Sequence, residues 1–472
     1  MVVFFIVLIA FGYFYTQDDV NSNSRLAMVK SVVEENRFAI DSYGEGVLKT
    51  EDKSFYNGHT YTDKAIGSSL IGIEFYSLIY KGLRPGIPLP MDVFKPWITF
   101  LAISLLCTFL APLLYSFAKQ VSGSARYGLL VALAVCLGTP FYIYSSAYYG
   151  HSLVGMLLFV IFLLWFYIKQ EQELSPLKIL CSGYLIGFAV ITEYPTAVIA
   201  LIIGVYILFV IREHRKLFDF KPYFFLFLGA SIPLCALLLY NRSVFGNPLS
   251  LSYIHEADQS FRAGQSSGFM GFGLPDPGIL FYMTFHTTMG IFWQSPVLLF
   301  SFIGWFRMWR NDKYRSEAVL SFSVISIYFL LLSGYYTWWG GLAFTPRHII
   351  PALPFFGIPL AFIPEKLRKA FLVAALFSIG QMLVVVSSSY YGLGNITINY
   401  SRGLFYKMFE NSTIYNVYLP NFLTGKLVPN LGQEFFKLGN LFSLLPLFMV
   451  ELALVGFFLF LSSSRKSRRP AC

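Results

Sequence analysis

Two adjacent carboxylates, Asp18 and Asp19, closely follow an apolar run that ends at Tyr15-Thr16. A carboxylate at such a boundary can take the proton of an acceptor hydroxyl, the step that group transfer to oxygen requires. The plain structural alternative is a pair of polar stop residues at an outer helix end. The residues downstream favour chemistry. Asn21-Ser22-Asn23-Ser24-Arg25 is followed by Phe38-Ala39-Ile40-Asp41, then by a long polar stretch from Asp52 to Gly67 that holds His59, Tyr61, Asp63 and Lys64. Carboxylates bind polyol hydroxyls, aromatic faces stack on saturated rings, and Lys or Arg holds phosphate. A solvated loop is the alternative for this stretch.

Further candidates stand at helix boundaries on the same side. His151 follows Tyr148-Tyr149-Gly150, and Glu193 sits in Thr192-Glu193-Tyr194-Pro195. An acid at that depth is costly unless it faces a polar cavity or a cation. Arg347 stands alone as a basic residue in the short segment Trp338-Trp339-Gly340-Gly341-Leu342-Ala343-Phe344-Thr345-Pro346-Arg347. A guanidinium there can pair bidentately with a lipid phosphate and stabilise it as it leaves; snorkelling to headgroups is the ordinary reading. Trp338 and Trp339 add aromatic faces. Glu451 falls near the middle of the last apolar run and needs a partner that the sequence does not name.

These side chains need a scaffold, and composition supplies its class. The 472 residues are 56% hydrophobic, 19% aromatic and 13% charged, with a mean hydropathy of +0.61. Such a chain belongs in a bilayer. A spanning helix needs roughly 20 apolar residues. Runs near 1–16, 96–118, 127–145, 151–168, 178–193, 195–211, 223–240, 288–306, 317–335, 348–363, 370–388 and 441–463 predict about twelve spans. The first run begins at Met1 with no basic region before it and no small-residue cleavage site after it, so it reads as a span. The fold class expected is therefore an all-α polytopic membrane protein, one integral-membrane domain over 1–472.

Net charge is +10, which raises the question of nucleic acid. The basic residues instead gather in short loops on alternate sides, such as Arg212-Arg215-Lys216, Arg307-Arg310, Lys366-Arg368-Lys369 and the tail Arg465-Lys466-Ser467-Arg468-Arg469. That pattern is a topology signal that places both termini in the cytoplasm. Three outer segments, 17–95, 241–287 and 389–440, are too long for turns. The first holds a helical stretch from Ser24 to Glu35 and an amphipathic one from Ala65 to Tyr80, expected at the interface. Cys107, Cys136, Cys181 and Cys235 sit in apolar runs, and no spacing suggests a metal site or a disulfide framework.

The short first helix, the acidic pair and the long outer loop together resemble the GT-C superfamily of polyprenyl-phosphate-dependent glycosyltransferases. Within it the chain is similar to the protein-mannosyltransferase-like group, glycosyltransferase family 39 and its aminoarabinose-transferase relatives. Three short stretches carry the likeness: Tyr-Asn-Gly-His-x-Tyr-x-Asp-Lys-Ala-x-Gly at 56–67, Tyr-Asn…Phe-Gly-x-Pro at 240–248, and Trp-x-Gly-Gly…Pro-Arg at 338–347. The resemblance implies that Asp18 or Asp19 is the base or acceptor anchor, and that Arg347, helped by Lys64, holds the donor phosphate. Many relatives lack a clear acidic pair, which leaves Asp41 or Asp63 as alternatives, and no second acidic motif stands out in 241–287.

The expected activity is transfer of a sugar from a polyprenyl-phosphate donor to a lipid, glycan or protein acceptor at the outer face of an inner or plasma membrane. A single displacement would invert the anomeric centre, with no cofactor, metal or nucleic acid. Substrate-binding candidates are Arg25, Asp41, His59, Tyr61, Asp63, His151, Glu193, Trp338 and Trp339. A transporter or flippase of lipid-linked glycans is the rival from another class; it predicts charges along the middle of several spans, where only Glu451 lies. A polysaccharide polymerase or ligase differs mainly in acceptor.

Overall fold

The computed structural model describes residues 1–15, 19–171, 174–214, 220–341, 343–388 and 412–467. Its elements are almost all helical, and the chain folds as an all-α multi-pass membrane protein. Seven helices among the described residues are long and apolar enough to cross a membrane: α4 (Met91–Ser122), α6 (Gly150–Glu171), α8 (Tyr194–Glu213), α9 (Lys221–Phe245), α11 (Asp312–Ser333), α12 (Glu365–Ser387) and α13 (Asn440–Ser463). Four shorter apolar helices accompany them: α1 (Val2–Gly12), α5 (Ala125–Cys136), α7 (Pro176–Thr192) and α10 (Pro296–Trp309). A 3-10 segment, Arg347–Phe356, fills the place of the remaining apolar run. Pro351 and Pro354 lack the amide hydrogen that a regular helix needs there.

The helices pack by close approach as well as by bulk. On α7, Gly183 and Gly187 face Gly229 and Ala230 of α9; a Cβ on Gly183 would stand 2.1 Å from the Leu226 carbonyl oxygen. Small residues at this spacing let two backbones meet where lipid provides no hydrophobic drive.

Between α1 and α4 lies a compact layer on one end of the bundle. It comprises α2 (Val20–Glu35), a hairpin of β1 (Lys53–Tyr56) and β2 (His59–Thr62), and α3 (Gly67–Ser77). The turn residues Asn57 and Gly58 have φ of 48° and 82°, the left-handed pair that a two-residue hairpin connection needs. The stretch expected as one interfacial helix from Ala65 to Tyr80 is α3 followed by a π-helical turn, Leu78–Leu83. Ser68, Ser69 and Gly72 of α3 are buried, whereas Leu78 is exposed. Helix α2 covers the expected stretch from Ser24 to Glu35 but begins earlier, at Val20, because Asp19 caps it by accepting from the Ser22 amide at 2.9 Å.

The end of α1 is stitched to residues 428–443. Phe14 bridges Asn430, the Tyr15 amide donates to Pro429 O at 2.8 Å, and the Tyr13 hydroxyl donates to Ser443 O at 2.6 Å. The same segment meets the end of α12, where Val428 N donates to Ser387 O at 2.9 Å.

Candidate active site

Beneath the α2–hairpin layer lies a cavity of about 580 Å³. Its walls come from the end of α1, α2, the β-hairpin layer, the start of α6, Glu193, the second outer segment, residues 335–348 and the end of α12.

Asp19 enters the cavity from the cap of α2. Its Oδ1 accepts from the Ser22 amide and from the Tyr149 hydroxyl, each at 2.9 Å. Among the described residues Asp19 forms no ion pair, and both of its hydrogen bonds fall on Oδ1. Asp18 lies outside the described residues.

Arg347 also lines the cavity, with its guanidinium carbon 5.5 Å from the centre of the Tyr149 ring. Its Nε is buried without a hydrogen-bond partner, and it forms no ion pair among the described residues, although the Asp52 and Asp19 charges are near enough to act on it. Asp19 and Arg347 thus share one aromatic neighbour, and neither forms an ion pair among the described residues.

The other two cations are committed. Arg25 Nη2 stands 2.9 Å from Glu193 Oε1, with side chains only 2% and 6% exposed. Arg25 also donates to Asn21 Oδ1, Ser68 Oγ and the Ala65 carbonyl. A buried charge needs that full set of partners. His151 Nδ1 lies 3.4 Å from the same Glu193 oxygen. Gly67 lets the hairpin layer reach this corner, because a Cβ there would stand 2.0 Å from Thr192 Oγ1.

Lys64 Nζ sits between Asp52 Oδ2 at 2.8 Å and Asp63 Oδ2 at 2.6 Å. Burial would lower the ammonium's pKa, but the Asp52 and Asp63 charges outweigh it and raise it. Burial likewise pushes Asp52 up, yet Lys64 and then Arg347 hold it below the usual carboxylate range. Glu256, from the second outer segment, completes the cluster. Its carboxyl is hydrogen-bonded to Asp63, and burial together with the Asp63 charge pushes it up to about 9. Burial raises Asp63 as well, so the two carboxyls favour sharing a proton. Backbone contacts bring it there: Ser54 bridges Glu256, Ala257 N donates to Lys53 O at 2.9 Å, and Ser252 Oγ donates to Asp63 O at 2.7 Å.

The cavity collects Asp19, Arg25, Asp63, Lys64, His151, Glu193 and Arg347 of the residues expected at a site. It does not collect Asp41, His59, Tyr61, Trp338 or Trp339. Asp41 and His59 pair at 2.9 Å on the outer edge of the hairpin, where the strand register turns His59 outward. Tyr61 stacks edge-on against Phe245, and Trp338 is buried against Tyr282 and Trp339 behind the cavity wall. The sequence reading does not single out Asp52, Tyr149 or Glu256. The available signal for Asp52 was the Asn57-Gly58 turn, which folds its strand back toward Asp63; nothing local marks Glu256. Among the described residues no group of three His, Cys, Asp or Glu side chains could hold a metal ion.

No family model matches the chain, and no curated protein matches it. Among solved structures it is similar to ArnT from Cupriavidus metallidurans bound to undecaprenyl phosphate, at 13% identity and a TM-score of 0.47, over 88% of this chain and 72% of that one. It is also similar to the same protein in the apo state, at 11% identity and a TM-score of 0.48, over 87% and 72%. Likeness at this level says nothing about activity.

Proposed function

We propose that the chain is a membrane glycosyltransferase that moves a sugar from a polyprenyl-phosphate donor to an acceptor hydroxyl in the cavity. The observation that carries this reading is the unpaired Asp19 and the unpaired Arg347 facing one cavity across Tyr149. A carboxylate free to accept a proton beside a cation free to receive a phosphate is what such a transfer uses at its two ends.

The acceptor hydroxyl gives its proton to Asp19 as its oxygen bonds to the anomeric carbon. The bond from that carbon to the phosphate oxygen breaks, and its electron pair leaves with the lipid phosphate. Arg347 meets the charge that develops there. A single displacement of this kind inverts the anomeric centre. Lys64, saturated by two carboxylates, acts as a positioning residue for Asp52, whose other oxygen holds a sugar hydroxyl, while Asp63 stays bound to Lys64, Ser24 and Glu256. Tyr335, Tyr336 and Phe344 supply aromatic walls.

The test is sugar transfer in membranes of cells that express the wild type, Asp19→Asn, Asp18→Asn or Arg347→Ala at matched levels. Mass spectrometry of lipid-linked sugars and surface glycans is the readout. Transfer with the wild type, lost with Arg347→Ala and with one Asp variant, supports the reading and locates the base. Equal behaviour of all four, with lipid-linked sugar only changing sides of the membrane, replaces the transferase with a carrier.

A further inference from the structure

A second cavity, of about 890 Å³, lies between α1, α5, α12 and α13. Its long walls are apolar: Leu372, Leu376, Ile379 and Leu383 form one stripe of α12, and Leu452 and Val455 face them from α13. One mouth is cationic. Arg126, Arg368 and Lys369 line it, and none of them pairs with a carboxylate among the described residues. Arg126 reaches Ser463 Oγ at 2.6 Å, which places the end of α13 at the same mouth. Arg368 lies over the Tyr127 ring at 4.4 Å, and its Nε is buried without a hydrogen-bond partner.

The candidate active site is at the other end of the bundle. Arg368 starts the regular turns of α12, whereas Val385 and Val386 near its end line the first cavity. At 1.5 Å per residue that length of helix is roughly 30 Å, the thickness of a hydrocarbon core. The cationic mouth is therefore at the opposite membrane surface.

We propose that this groove is a binding site for an anionic phospholipid of that opposite leaflet. Its phosphate sits among Arg126, Arg368 and Lys369, and one acyl chain runs along the α12–α13 stripe. Charge complementarity selects the headgroup, since three unpaired cations at one mouth require an anion. Shape selects a lipid over free phosphate, because the apolar walls continue far past the mouth. Glu451 lines the far part of the groove, with Oε1 buried and unpartnered. Along α13 it lies roughly 18 Å from Ser463, about one leaflet deep, so an acyl chain that enters at the cationic mouth ends beside it.

The test uses purified full-length protein in nanodiscs of equal parts phosphatidylglycerol and phosphatidylcholine, with native mass spectrometry of the lipids it retains. The wild type is expected to retain phosphatidylglycerol over phosphatidylcholine by about tenfold, as close basic residues favour anionic lipid. The triple variant Arg126→Gln, Arg368→Gln, Lys369→Gln is expected to lose that preference while keeping its helical circular dichroism. Leu376→Trp, which fills the apolar wall, is expected to lower retention of both lipids. No preference in the wild type, a preference that survives the triple variant, or retention untouched by Leu376→Trp would each overturn the proposal. So would displacement of the lipid by inorganic phosphate alone, or stronger retention of added undecaprenyl phosphate.

Discussion

The Tyr149 hydroxyl donates to Asp19 Oδ1 at 2.9 Å, and this contact joins the cap of α2 to the residue just before α6. Burial and the Asp19 charge hold the phenol's pKa well above its ordinary value, so Tyr149 remains a donor at working pH. It holds the carboxylate by one oxygen, the arrangement that the proposed role of Asp19 as base requires.

Removing the hydroxyl while keeping the ring should therefore slow transfer without abolishing it. Tyr149→Phe is expected to lower turnover about tenfold, and Asp19→Asn by ~10²-fold or more, because a lost base costs more than a misaligned one. Steady-state rates on a lipid-linked sugar donor check both. Equal rates for Asp19→Asn and wild type would remove Asp19 from the chemistry.

Arg347 faces a different test. Arg347→Ala is expected to lower the rate by ~10² to 10³-fold, the cost of one missing donor at a developing charge. Arg347→Lys should recover little of it, since a point charge does not reproduce the guanidinium's planar, bidentate contact or its stacking on Tyr149. Full activity in the lysine variant would show that charge alone suffices.

The Glu256–Asp63 contact makes stability depend on pH. Glu256 is pushed up to about 9, above its value in the unfolded chain, so it favours the folded state most below the unfolded pKa. That contribution fades as pH rises toward and through 9. The thermal midpoint of the solubilised protein should fall between pH 7 and 10, and Glu256→Gln should flatten the fall. A midpoint equally steep in Glu256→Gln would assign the dependence to another group.

Arg25 and Glu193 form a buried ion pair whose members are unequal to either one alone. Glu193→Leu or Arg25→Met alone leaves a buried charge unmatched and is expected to cost about 3–5 kcal/mol. The double replacement Arg25→Met with Glu193→Leu should be far milder than the two single effects summed. Chemical denaturation of all four proteins in one detergent decides this; additive losses would mean that the pair is not coupled.

Apolar runs made the spans legible, because roughly 20 hydrophobic residues have few fates other than a bilayer. A helical segment lies over every expected run, including the proline-broken one at 348–363. Cavity-lining residues at helix ends were legible for the same reason: Glu193, His151 and Arg347 break rules that surrounding apolar residues obey. Within the outer layer the reading was coarser. His59 and Asp63 look alike in sequence, yet the hairpin sends the first outward and the second into the cavity. Glu256 was out of reach, since it arrives through a backbone bridge to Ser54 that no local pattern announces.

The stitching of Phe14 and Tyr15 to Asn430 and Pro429 has a consequence for how the pocket is assembled. Phe14, Tyr15 and Val428 are neighbours on the cavity wall, but they lie far apart along the chain and are made far apart in time. Helix α1 is made long before its partner segment, so a nascent chain holds an open, unfinished pocket through that interval. Closure of the cavity wall is thereby timed to the emergence of residues 428–430. Chains stalled short of residue 428 would carry α1 with that wall still missing.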